Sequence, residues 1–289
     1  MPLVNLEGAF DLHIHTNPSL IQRSKGDLDA ARQGEESPLA GIVLKNHFES
    51  TVGRAKAASQ SVKRLQVFGG LVLNNFCGGL NPAAVETSIR LGARQIWMPT
   101  LCSKAHQAKF PASQSAWGIS ELSSLDKNGI SILNQNEKVK PEVKTILELC
   151  KASDVILGTA HLDGTEIYAL TSLARETGFK KLLLTHPYYD PPGLSIKQQK
   201  ELADLGAKLE LCGGNLYPIP GVATLANYLE TIYTIGPQSL VISSDAGQPR
   251  KSSPFEVLRV FTQCLLEKGV TQQDIDLMTK KNPAELLEV

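Results

Sequence analysis

Short apolar runs rich in Val, Ile and Leu recur along the chain, at residues 8–15, 41–47, 65–74, 93–100, 154–161, 180–186, 207–213 and 239–245. All are of strand length, far below the ~20 residues of a membrane-spanning helix. Each is followed by a stretch in which apolar positions return every three to four residues, the signature of an amphipathic helix. Such stretches include residues 82–91, 141–150, 166–176, 195–205, 222–235 and 254–268, the first opened by the cap residue Asn81 and by Pro82. Most strand starts lie ~25–30 residues apart, as one strand–helix–strand unit requires. Eight repeats of strand then helix predict an α/β fold, a (β/α)8 TIM-like barrel of parallel strands. The spacing breaks once. Residues 101–137, between the fourth and fifth runs, are polar and predict an insertion over the barrel mouth, either a lid or a plain long loop. At the other end, residues 271–289 predict two short helices closing the outer layer. No linker is long enough to divide the chain, so one domain spanning residues 1–289 is expected.

A length of 289 residues suits one such barrel, since α/β barrels often reach about 250 residues as a single unit. With 29 basic and 29 acidic side chains the formal charge is zero, so neither a nucleic-acid nor a membrane-surface partner is expected. The first residues lack the charged start and apolar stretch of a signal peptide, and a cytoplasmic protein is expected. Five scattered cysteines with no C-x-x-C pair imply neither a disulfide framework nor a zinc ribbon. The expected partner is a small-molecule substrate, with homo-oligomerisation left open.

Histidine placement changes the picture. Side chains alternate faces along a strand, so Leu12 and Ile14 would pack outward while Asp11, His13 and His15 enter the lumen. A single histidine at a strand end is more often structural than functional. Six evenly scattered histidines would put about half of one at such ends. Five of the six are found there: His13, His15, His47, His161 and His186, with only His106 elsewhere. The eighth run ends with Asp245 on the same face as Val241 and Ser243. Imidazoles and a carboxylate gathered at one mouth make a poor hydrophobic core but a good ligand set for a divalent transition metal. Without an ion, such a group is left with unpaired buried nitrogens.

These residues resemble a known family. His13-Ile14-His15 on the first strand, His161 on the fifth, His186 on the sixth and Asp245 on the eighth are similar to the metal ligands of the amidohydrolase superfamily. The closing Lys281-Asn282-Pro283-Ala284 also resembles a turn common near the end of those chains. The resemblance implies a metal-dependent hydrolase acting through activated water on a small amide, lactone or ester that carries an anionic group. A decarboxylase or hydratase on the same barrel, or a phosphoesterase, is the alternative. It further implies that His13, His15, His161, His186 and Asp245 hold a divalent ion, zinc first, with manganese, iron or cobalt as alternatives. Asp245 and His186 are the implied catalytic residues, Asp245 moving the proton of the attacking water. One departure stands out. Two-metal members carry a bridging lysine or glutamate on strand four, and Ile96-Trp97-Met98-Pro99-Thr100 offers neither. One ion per chain is therefore expected, two only if Glu137, Glu49 or Lys45 supplies a bridge.

Residues around this set are candidates for holding substrate. Lys45 and His47 share a face of the second strand, and Arg23 and Arg250 lie on loops after the first and eighth strands, where anions are commonly held. Lys45 could instead pair with Glu210 or Asp11, and each arginine could be a solvated surface residue. Asn74 and Asn75 close strand three and Asn215 follows strand seven; turn chemistry explains them nearly as well as a ligand does. Trp97, Met98 and Trp117 read as packing or lid residues, and Cys212 as a core thiol with no adjacent base.

Overall fold

The computed structural model describes residues 2–110, 129–216, 223–249 and 251–289. Its strands are β1 (Ala9–His15), β2 (Leu39–Lys45), β3 (Gln66–Phe68), β4 (Gly70–Val72), β5 (Gln95–Trp97), β6 (Ile156–Gly158), β7 (Leu182–Thr185), β8 (Lys208–Cys212) and β9 (Leu240–Ser243). They pair in chain order as β1-β2-β3 and β4 through β9, every pairing parallel. The two outer edges meet. Ile14 forms a parallel bridge with Ala246, and the His15 N–H donates to the Ala246 carbonyl at 2.8 Å. The Ser244 N–H donates to Asp11 Oδ1 at 3.0 Å across the same seam. This is the expected (β/α)8 architecture.

The third run, expected as one strand over residues 65–74, is two short strands broken at Gly69. A Cβ on Gly69 would stand 2.5 Å from the Thr51 carbonyl oxygen, so only glycine lets the segment after β2 approach. Thr51 then joins the ladder, its N–H donating to the Gly70 carbonyl at 3.0 Å and its Oγ1 accepting from the Gly70 N–H at 2.9 Å.

Helices α1 (Asp27–Glu36) and α2 (Val52–Ser59) follow the first two strands, and α3 (Pro82–Arg90) follows β4. A short α4 (Lys104–Lys109) lies at the start of the insertion, and α5 (Pro141–Ala152) comes after it. The others are α6 (Gly164–Thr177), α7 (Ile196–Asp204), α8 (Leu225–Ile235) and α9 (Pro254–Glu267). Caps set several starts: the Asn81 side chain accepts from Ala83 N–H, and Ser195, Thr224 and Asp163 form reciprocal capping boxes. The chain ends in α10 (Gln272–Asp276), a π turn Leu277–Lys281 and α11 (Asn282–Leu287). The Asn282-Pro283 pair opens α11 rather than forming a turn. Asn282 Nδ2 donates to the carbonyls of Pro237 and Leu240 at 2.8 and 2.7 Å, fastening the last helix to the start of β9.

The core lies between strands and helices, where Leu12, Ile14, Ile42, Leu44, Leu183, Leu209 and Leu211 are fully buried. Each such side chain is worth about 1.5–3 kcal/mol of burial. The lumen is different in kind. Asp11, His13, Lys45, Gln95, Trp97 and Glu210 are all buried, so the strands' inner faces carry charge and hydrogen-bonding groups along with the tryptophan. Trp97 is a packing residue of the lumen, its ring 6.3 Å from that of His13. No helix among the described residues is long and apolar enough to cross a membrane.

Candidate metal centre at the barrel mouth

The C-terminal ends of the strands open on a cavity of about 80 Å³. It is lined by all six histidines together with Arg23, Lys45, Tyr189, Asn215, Asp245, Gln248 and Lys251, and by the apolar Ile21 and Leu101. Strand parity explains His13 and His15, both of which reach this space from β1.

Asp245 is the meeting point. Its Oδ1 lies 3.2 Å from His13 Nε2 and 3.2 Å from His15 Nε2. One ligand atom from each of the three residues lies within 4.8 Å of the others, a spacing that suits a single ion. On the other side of the His13 ring, Nδ1 faces Glu210 Oε2 at 3.2 Å. A carboxylate there accepts a hydrogen bond from Nδ1–H and favours the tautomer with a free Nε2 lone pair, the arrangement that orients metal-binding histidines. Burial alone would raise the Asp245 carboxyl; His13 and His15 outweigh it and hold Asp245 well below the usual carboxylate range. Burial and nearby Arg23 keep the His15 imidazole neutral far below its ordinary value.

Lys45 enters from β2, only 1% exposed, with Nζ 3.0 Å from His13 Nε2 and 5.3 Å from the centre of the Trp97 ring. Burial pulls its ammonium down to about 8, against the attraction of Asp245 and Glu210. His47 stacks on His15 with ring centres 4.9 Å apart, while its Nδ1 meets Thr100 Oγ1 at 2.8 Å.

The opposite flank is built on β6, β7 and α4. His161 Nδ1 lies 2.9 Å from His106 Nδ1, so one of the two rings carries the proton between them. Ser103 locks this flank, accepting from the His106 N–H at 3.0 Å and donating to the His161 carbonyl at 2.7 Å. His186 sits 5.1 Å from His161 and 5.0 Å from Tyr189, ring centre to ring centre. Burial lowers His106 and His186 to about 4, and burial with His106 beside it lowers His161 well below its ordinary value. Ala160, His186 and Asp245 have φ of +50°, +34° and +46°. Left-handed backbone is costly for side-chain-bearing residues, and its concentration at three strand ends is typical of functional sites.

Several expectations require correction. Glu137 is exposed in the turn at residues 134–138 and is not among the cavity residues. Glu49 pairs with Arg54 at 2.6 Å instead. Asn75 starts a short 3-10 turn and does not line the cavity. Its neighbour Asn74 is the buried one, and its side chain is spent on His47, Thr100 and Cys102. Arg250 and Trp117 lie outside the described residues, as does the middle of the insertion. Cys212 is a buried thiol raised well above its ordinary value by burial. His106, Tyr189, Gln248 and Lys251 are cavity residues that sequence reasoning missed. For Glu210, a lone acid in the apolar run Leu209-Glu210-Leu211-Cys212 was the available signal.

Solved hydrolases share this fold. An engineered organophosphate hydrolase built on a weak promiscuous lactonase template superposes with a TM-score of 0.63 at 14% identity, covering 99% of this chain and 98% of that one. An amidohydrolase from Pseudomonas aeruginosa gives 0.60 at 12% identity, covering 98% and 96%. A variant of the organophosphorus hydrolase from Deinococcus radiodurans gives 0.60 at 15%, covering 97% and 92%. A search of curated proteins finds no match. By sequence, residues 8–210 match the family of unknown function DUF6282, and the chain belongs to that family.

Proposed function

We propose that this chain is a metal-dependent hydrolase that directs water onto a small ester, lactone or amide, with one divalent ion, zinc first, held by His13, His15 and Asp245. The observation that carries the reading is the approach of two imidazole nitrogens to one carboxylate oxygen, each at 3.2 Å. A cation between them would stabilise imidazole nitrogens gathered at a carboxylate oxygen, and the buried His15 Nδ1 and His186 Nδ1 have no hydrogen-bond partner among the described residues. The lactonase template and the amidohydrolase among the structural neighbours support the same class.

A bound divalent ion supplies Lewis acidity and lowers the pKa of water from ~15.7 to about 7. Asp245, ionised at neutral pH, accepts the proton of the attacking water and returns it to the leaving group. His186, neutral and lining the cavity, hydrogen-bonds the substrate carbonyl oxygen. Glu210 holds His13 in the tautomer that leaves Nε2 free to bind. Lys45 Nζ lies 3.0 Å from that same nitrogen, so a His13 Nε2 that held an ion would no longer be open to the Lys45 ammonium. His161 and His106 shape the far wall.

The test is elemental analysis of purified protein and of His13→Ala, beside a hydrolysis screen of short lactones, esters and amides. One equivalent of metal in the parent and almost none in the variant is expected. Two equivalents would overturn the single-ion arrangement, and carbon dioxide release without uptake of water would replace hydrolysis by decarboxylation.

A further inference from the structure

The cavity holds more positive charge than its own acids answer. Arg23, Lys45 and Lys251 line it with a single carboxylate, Asp245, which His13 and His15 already share. Lys45 has His13 Nε2, and Lys251 Nζ donates to the Gly214 carbonyl at 2.8 Å. Arg23 differs. It is only 5% exposed, yet among the described residues its guanidinium makes no hydrogen bond and no ion pair. The main chain that carries it is clamped. Asn17 Nδ2 donates to the Arg23 carbonyl at 2.8 Å, and the Ser24 N–H donates to the Gly247 carbonyl at 2.8 Å. Burial lowers the guanidinium only to about 10, so it stays charged. Asp245 attracts it without a direct contact, and a buried guanidinium with no anion on its own donors is a cost that a ligand can remove.

We propose that Arg23 is the anion anchor of this site and that the substrate is a short-chain carboxylate, its carboxylate on the Arg23 side and its reacting carbonyl toward Asp245. This rests on the hydrolase reading above. A planar guanidinium presents paired donors that match a carboxylate edge, whereas a phosphate monoester brings nearly two charges and three acceptor oxygens to one fork. A cavity of about 80 Å³ suits a small skeleton, which Ile21 and Leu101 can cover. A divalent ion adds positive charge and strengthens the demand for an anion. Neutral organophosphate esters leave Arg23 unanswered, so the preferred substrate differs in charge from the one for which the engineered neighbour is described.

Two measurements test this. The first compares kcat/KM for butyrolactone carboxylate and for its methyl ester in the parent protein, Arg23→Gln and Arg23→Lys. The acid should be preferred by roughly 10–100-fold, as charge-assisted hydrogen bonds imply. That ratio should collapse toward one in Arg23→Gln and fall only partly in Arg23→Lys, which keeps the charge and guards against misfolding. The second is calorimetric binding of levulinate and of inorganic phosphate, which needs no turnover. Levulinate bound by the parent and lost in Arg23→Gln upholds the anchor even if no substrate is hydrolysed, in which case the hydrolase reading alone falls. Hydrolysis with equal rates for acid and ester, or levulinate binding untouched by Arg23→Gln, overturns the anchor. Phosphate bound more tightly than levulinate overturns the carboxylate assignment.

Discussion

The two flanks of the cavity use the same side chain and are not alike. Near β1 and β9, His13 and His15 each aim Nε2 at one oxygen of Asp245, at 3.2 Å. Near β6 and β7, His161 and His106 face each other at 2.9 Å, and the described acids pair with neither. Two neutral imidazoles satisfy one another by sharing a proton. Two imidazoles at one carboxylate oxygen instead bring three ligand atoms within 4.8 Å of one another, a spacing that suits an ion. Histidine number is thus a weak guide to a metal centre. The carboxylate among them decides.

Substitutions should separate the flanks, with Asp245→Asn showing the largest effect. Losing the ionised oxygen would remove both the proposed proton carrier and the proposed negative ligand, and activity should drop by about 10³–10⁴, the upper range for acid–base groups. Metal content should fall with it. His161→Ala should retain the ion and lose no more than about 10²-fold in kcat. The comparison breaks if elemental analysis finds His161→Ala as empty as His13→Ala.

Backbone strain on the near flank gives the next largest effect. Gly247 has φ of +128°, and a Cβ there would lie 1.9 Å from the His15 carbonyl oxygen. The Gly247→Ala variant must move the loop after β9 away from β1, at a cost of about 3 kcal/mol, comparable to other strained or overpacked sites. Thermal melting would register this as a clear drop in Tm. An unchanged Tm would mean that the seam between β1 and β9 is looser than the distances at Asp245 imply. Glu210→Gln should act more narrowly. Removing the charge behind His13 Nδ1 should weaken metal affinity by roughly 10–100-fold, as other carboxylates behind metal-bound histidines do. An equal loss from a change on the far flank would erase the distinction.

Much of the near flank was legible from periodicity. An inward residue every second position on a strand is a rigid rule, so Asp11, His13 and His15 could be assigned a face before any coordinates, and Lys45 and Asp245 likewise. Loops obey no such rule. His106 reaches the cavity only because Ser103 ties α4 to the end of β6, a contact between residues 58 positions apart. Asn75 and Asn74 are adjacent, and which of them is buried depends on how the chain turns into residues 75–77. Glu137 failed for the same reason, since the insertion's return path at residues 134–138 carries it outward. The break at Gly69 depends on Thr51, whose approach leaves no trace in the pattern of residues 65–74.

The last prediction concerns protons, and its smallest readout is the difference that a single imidazole makes. His106 and His186 are held at about 4 by burial, against an ordinary value of 6.5. The unfolded chain therefore takes up protons below 6.5 that the folded chain refuses until about 4, so their contribution to stability is whole above 6.5 and is lost as pH falls through that window. By pH ~5 the loss is on the order of 2 kcal/mol for each ring. Asp11 works in the opposite sense. Burial, partly offset by hydrogen bonds from Ser244 and His13, raises its carboxyl from 3.8 to about 7. The folded chain binds this proton first, and acidification from about 7 toward 3.8 adds stability that offsets roughly one histidine. His15, His47 and His161, all lowered by burial first, add to the loss. Melting in chelator between pH ~7.5 and ~5 should show Tm falling with acidity. The His106→Gln variant should fall less steeply, because it has one buried imidazole fewer to protonate. Identical slopes would mean that the His106–His161 pair already carries a proton at neutral pH, and that the far flank, like the near one, is organised around a positive charge.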